Sequence, residues 1–206
     1  MPSVTRRAPD GANRREAVEQ RVLRAVEQLL EDGRSFVELS VQEVADAAGV
    51  ARSTFYVHFA DKSELLVRLA EASTADMLGE GERWVTGDHA GGRAELREVC
   101  RRIVAHYREH RPLLQAVGAA TTYDPVMSRW WVGRVERFID LCEARVRELA
   151  RDQGRDPAGA RATAAMVGWS IERTVSMSVL LEAPEGDDQL ADVLARGVWL
   201  LLYGPA

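Results

Sequence analysis

The sequence predicts an all-α protein of about nine helices, divided into a small N-terminal three-helix unit and a larger helical domain. Three observations lead there. Apolar residues recur at the three- and four-residue spacing of amphipathic helices in nearly every segment, strand-like alternation is absent, and residues that start and stop helices punctuate the chain. At 206 residues the chain is long enough to bury a core without outside staples.

Residues 1–13 hold Pro2, Pro9 and Gly11 with no apolar period, and are expected to form a disordered basic arm. Arg6, Arg7, Arg14 and Arg15 against Asp10 give the first fifteen residues a charge of +3, which leaves −8 on the rest of a chain whose net charge is −5. A chain of that charge is no general polyanion binder, so any contact with nucleic acid must come from local arrangement. The arm reads equally as a DNA-facing segment or as a solvated tail. Val18, Val22, Ala25, Val26 and Leu29 then form the apolar stripe of a first helix, which Gly33 ends.

Ser40 to Lys62, SVQEVADAAGVARSTFYVHFADK, carries the most information. Ser40 and Glu43 form a capping box, in which each side chain satisfies a backbone N–H left unpaired by a new helix. Val41, Val44, Ala45 and Ala48 share one face of that helix, and Gly49 can take the positive φ that stops it. A second short helix reads ARSTFYVHF, with Phe55 and Phe59 directed inward and Arg52, Ser53, Thr54, Tyr56 and His58 assigned to the outer faces. Two short helices joined by a glycine turn, the second polar outside, make a helix-turn-helix over residues 14–60 together with the first helix. Residues early in such a recognition helix reach base edges, and Arg52 is expected to donate twice to a guanine. Ser53 and Thr54 offer short hydroxyls, and Tyr56 and His58 are expected to extend to the DNA backbone, as is Ser40 at the cap. Asp61 and Glu64 form a second capping pair, which sets Lys62, the only lysine among 27 basic residues, in the first turn of the next helix. The macrodipole disfavours a cation there, so Lys62 is expected to clamp a phosphate.

The remaining segment, residues 61–206, reads as the larger domain. A long helix runs from Asp61 to about Trp84 on Leu65, Leu66, Leu69, Ala72 and Met77, and a break over 86–92 follows. Leu96, Cys100, Ile103, Val104 and Tyr107 define the next helix, and Pro112 opens a short one ending near Thr122. Asp124-Pro125 and Asp156-Pro157 each read as an N-cap followed by proline at the first helical position. The helix after Pro157 is small or apolar around nearly its whole circumference apart from Glu172 and Arg173, the mark of burial on more than one side. A loop over 183–188 leads to the last helix, which runs to Tyr203.

Several classes are disfavoured by what the sequence contains. Cys100 and Cys142 have no paired spacing for a disulfide framework or a zinc motif. His106 and His110 stand four apart without a third ligand, so no metal or other cofactor is expected. There is no Ser-His-Asp grouping, no paired carboxylates in an apolar setting and no phosphate-cradling glycine loop, which argues against an enzyme. No apolar run approaches the roughly 18 residues of a membrane span and no signal segment is evident, so a cytoplasmic protein with no membrane partner is expected.

TFYVHFADKSELL, preceded by VQEVADAAGVARS, resembles the DNA-binding domain of the TetR family of bacterial repressors across about residues 14–68. The resemblance implies that Tyr56 and Lys62 lie on phosphates and that the outer positions of the second helix read bases. Ser53 stands where the family usually has glycine. One recognition helix reads only a few base pairs, so a homodimer on a palindromic operator in double-stranded DNA is expected. The last two helices, packing as a four-helix bundle with the partner's pair, are its expected interface.

Tyr107, Trp130, Trp131, Phe138, Trp169 and Trp199, with small Gly168 and acidic Glu172 among them, either line an apolar cavity or fill an ordinary core. WW…F, GWSIERT and WLLLYG are similar to the EthR-like branch of the family, which implies a tunnel for a hydrophobic small-molecule effector. Where that branch tends to have polar amides this chain offers Gly168 and Ile171. The expected function is therefore a ligand-released transcriptional repressor. The alternatives are an effector-independent regulator or activator, and a small-molecule carrier or enzyme using the cavity.

Overall fold

The computed structural model describes residues 10–154, 156–182 and 186–204, and these form nine α-helices and no strand. The arm expected over 1–13 lies outside the described residues as far as Pro9, and α1 (Asp10–Glu31) already includes its last positions. The chain divides after Ala70 into two compact units.

The first unit contains α1, α2 (Val41–Ala47), α3 (Arg52–His58) and the start of α4 (Lys62–Thr86). The Ser40 capping box forms as expected: the Glu43 N–H donates to Ser40 Oγ at 3.1 Å, and the Ser40 N–H to Glu43 Oε2 at 2.8 Å. Gly49 has φ +63°, which lets the chain reverse between α2 and α3. Val22 and Val26 of α1, Val44 of α2, and Phe55 and Phe59 at and just beyond α3 are buried. Leu65, Leu66 and Leu69 of α4 are buried as well and belong to the same unit. The division therefore falls inside α4, about ten residues beyond the expected boundary at 60, because a unit this small needs the added apolar surface of those leucines.

The second unit holds the rest of α4 with α5 (Gly92–Glu109), α6 (Arg111–Tyr123), α7 (Pro125–Asp152), α8 (Ala160–Leu180) and α9 (Asp187–Tyr203). α5 packs on α9 and α7 on α8, around a core that includes Val104, Ile139, Val175 and Ala191. Asp124 caps α7 as expected, its carboxylate accepting from the N–H groups of Val126 and Met127. Asp156 does not cap α8. Its carboxylate accepts from Ala158 N–H in a local turn, Gly159 reverses the chain at φ +84°, and the helix begins only at Ala160. Within the expected loop over 183–188, residues 183–185 lie outside the described residues, and Asp187 and Asp188 are already helical. His89, between α4 and α5, stacks on Trp84 at 4.2 Å, donates from Nε2 to the Trp84 carbonyl at 2.7 Å and meets the Tyr203 hydroxyl through Nδ1. That arrangement pins the end of α9.

Gly168 sits where α7 and α8 approach, and a Cβ there would lie 2.8 Å from Cγ1 of the fully buried Ile139. The glycine is therefore a contact point between the helices, with the Phe138 ring beside it and no room for a larger side chain. Overpacking of about 1–3 kcal/mol exceeds the ~1 kcal/mol that alanine gains over glycine in a helix. Gly168→Ala is expected to lower the melting temperature, and combining it with Ile139→Ala to cost less than the two single losses together. Additive losses would show that this contact is not what constrains the position.

Candidate nucleic-acid interface and ligand cavity

The outer face of α3 is set by its inner one. Phe55 and Phe59 anchor it, so the pairs Arg52/Tyr56 and Ser53/Val57, each four apart, turn outward and are exposed. Arg52 lies along this face, with its guanidinium 5.8 Å from the centre of the Tyr56 ring and Nη2 3.5 Å from the Tyr56 hydroxyl. Thr54 is half-buried at the edge. Val57, missed in the sequence because it is apolar, is 66% exposed beside these polar groups. Its spacing four residues after Ser53 was the available signal. Ser40 remains at the surface, its oxygen engaged by the capping box.

Two expected DNA contacts are corrected. His58, three residues after Phe55, turns inward and is buried, with Nδ1 3.2 Å from Glu19 Oε1 of α1. Burial alone would raise the Glu19 carboxyl, but the hydrogen bonds from His58 and Arg15 hold it below its ordinary pKa. Lys62 likewise points into the first unit. Its ammonium donates to the carbonyls of Phe36 at 2.9 Å, Val37 at 3.1 Å and Leu39, and lies 5.0 Å from the centre of the Phe36 ring. All three N–H donors are used, so this lysine ties the α1–α2 loop to the start of α4. Burial lowers its pKa.

In the second unit, α5, α6, α7 and α8 line a partly open cavity of about 580 Å³. Tyr107, Trp131, Trp169 and Glu172, all expected, meet on its wall with Leu114 and Met177. A smaller cavity of about 80 Å³ adjoins it, bordered by Phe138, Gly168, Met77 and Ile103, and Tyr107, Trp131 and Glu172 line both. Trp130 and Trp199 are elsewhere. Consecutive residues of a helix diverge by about 100°, so Trp130, although its ring centre is 5.8 Å from that of Trp131, borders neither cavity and donates from Nε1 to Glu71 Oε1 at 3.1 Å. Trp199 stacks on Tyr203 at 4.2 Å, on α9, which does not border the cavity. The sequence reading missed Arg111, Gln115, Ser128 and Arg173, which supply polar groups to the wall.

Glu172 is the unusual member. Its side chain is 12% exposed, Oε2 has no hydrogen-bond partner, and the nearest cation is Arg173 Nε at 3.8 Å. Burial pushes its pKa up, against a smaller opposing effect of Arg173. Burial also raises the neighbouring Tyr107 hydroxyl, and the charge of Glu172 adds to it. Cys100 and Cys142 are buried and their thiols are pushed up to about 12, outside the reactive range. No cluster of three metal-ligating side chains occurs among the described residues.

A family profile described as bacterial regulatory proteins, tetR family, matches residues 24–69, and one for the C-terminal domain of transcriptional regulator EthR matches 96–204. The chain belongs to the TetR family. It is thus a TetR-family transcriptional regulator, with one profile in each unit. The HTH-type transcriptional regulator EthR of Mycobacterium tuberculosis is 27% identical over 213 residues, covering 95% of this chain and 90% of that protein. A crystal structure of a putative TetR-family transcriptional regulator from Syntrophomonas wolfei has the same fold, with a TM-score of 0.72 at 14% identity over 93% of this chain and 97% of that one. The transcriptional regulator FadR from Bacillus subtilis, solved in complex with stearoyl-CoA, also shares it, with a TM-score of 0.67 at 16% identity over 91% and 99% of the two chains. In this family setting, the pairing of the Lys62 ammonium with three carbonyls bears on folding. Lys62→Met is expected to cost about 1–3 kcal/mol of stability in the first unit, read from its thermal melt. An unchanged melt combined with an affinity for DNA that is weaker and less dependent on salt would return Lys62 to the phosphate role.

Proposed function

We propose that this TetR-family regulator is a repressor, binding a palindromic operator as a homodimer and released when a hydrophobic small molecule enters the 580 Å³ cavity. The observation that carries the reading is the occurrence, in one chain, of an exposed reading face on α3 and an aromatic-lined cavity of ligand size. In this reading residues 14–60 bind DNA and 61–206 bind the effector and the second subunit. Arg52 reads a guanine, Ser53 and Thr54 contact base or phosphate, Tyr56 and Ser40 meet the backbone, and Val57 is suited to a thymine methyl. Lys62 and His58 are not part of this face.

Support for the homodimer comes from α8 and α9. Met166 and Leu180 on α8, Leu181 at its end, and Val193, Leu200 and Leu201 on α9 are exposed apolar side chains, a combination that invites a partner. Gly197 lies between Val193 and Leu201 with open space above it, which suits a close helix crossing. α4 is one continuous helix whose start belongs to the first unit and whose Met77, Leu78 and Gly81 border the smaller cavity, so it is the proposed lever. Among the described residues no helix is long and apolar enough to cross a membrane, and the proposed place of action is the cytoplasm. FadR, solved with stearoyl-CoA, is a protein of the same fold that holds a small-molecule ligand with a long acyl chain.

Selecting bound DNA from a random pool is expected to return an inverted repeat occupied by two copies. A single asymmetric site bound by one copy would reject the dimeric reading. On the selected operator, Arg52→Ala should cost roughly 1–3 kcal/mol and relax preference at one position of each half-site. Trp131→Ala or Trp169→Ala should change the response to added apolar compounds more than operator affinity in their absence, and the reverse pattern would mark both tryptophans as core.

A further inference from the structure

A buried carboxylate normally has its oxygens paired, because an unpaired one loses its hydration for nothing in return. Glu172 breaks that rule at the border of two cavities. Arg173 does not repair it. The pair is 3.8 Å apart, beyond a hydrogen bond, and the Arg173 side chain is 69% exposed and so well hydrated and screened. Arg111, the other cation on the wall of the large cavity, is taken by Glu182 at 2.5 Å. Arg134, the cation bordering the smaller cavity, makes no ion pair with Glu172, and Tyr107, Trp131 and Trp169 add aromatic surface, which attracts cations.

From this arrangement we propose that the cavity takes a protonated amine carried on a flat apolar body, with the ammonium at Glu172 and the body against Trp131, Trp169 and Tyr107. The assignment rests on the reading of the cavity as a ligand site and adds the charge of the ligand to it. A cation supplies the missing partner of Oε2 and offsets the cost that burial imposes on the carboxylate. An alcohol supplies a hydrogen bond without the charge, and an anion worsens the imbalance. A volume of about 580 Å³ accommodates a polycyclic ring system with room to spare.

Three probes of one shape separate these cases: 9-(aminomethyl)anthracene, 9-anthracenemethanol and 9-anthracenecarboxylate, titrated at pH 7 against the full chain and followed by quenching of tryptophan emission. The amine is expected to bind roughly tenfold more tightly than the alcohol, with the carboxylate weakest. Glu172→Gln should bring the ratio of amine to alcohol close to one. Alcohol or carboxylate binding as tightly as the amine overturns the charge assignment alone, as does an amine preference that persists in Glu172→Gln. No binding by any of the three rejects the ligand-site reading, and the proposal with it.

Discussion

The seating of Phe55 and Phe59 in the floor of the first unit governs the chemistry of α3. With two buried rings four residues apart and α3 packed on α1 and α2, the inward face of the helix is fixed. His58 must then lie inside and Val57 outside, whatever their polarities. The same constraint acts in the second unit. Ile139 and Val135 face the core, so Trp131, four residues before Val135, turns toward the cavity region while Trp130 goes to the surface of α7. Packing, through the helical period, decides which polar and aromatic groups remain available for recognition.

Lys62 and Glu172 are opposite solutions to the partial burial of a charge. The lysine is surrounded by three carbonyls of one loop and an aromatic ring, so its positive charge is spent on holding the backbone together. The glutamate meets aromatic walls, a distant arginine and open volume. A satisfied buried charge belongs to architecture, whereas an unsatisfied one beside a cavity points to a missing partner. The distinction separates residues of the fold from residues of the site without reference to the residue type.

The two units meet different demands with one kind of element. The first unit buries its core completely and leaves a short, polar, shape-defined helical face outside. The second keeps a partly open cavity between its helices and leaves apolar side chains on α8 and α9 uncovered. α4 is shared by both, its leucines completing the first core and its later residues bordering the smaller cavity.

The sequence by itself determined the all-helical class, the helix-turn-helix, the capping of α2 by Ser40 and of α7 by Asp124, and membership of the TetR family, because these are written in residues a few positions apart. It also placed Tyr107, Trp131, Trp169 and Glu172 in one group. Only the tertiary structure decided that Lys62 meets carbonyls more than twenty positions earlier, that His58 pairs with Glu19, that Trp130 and Trp199 stand apart from the cavity, and that α8 starts after Gly159. The physical reason is that helical periodicity fixes which residues share a face, whereas the partner that face meets depends on segments distant in the chain.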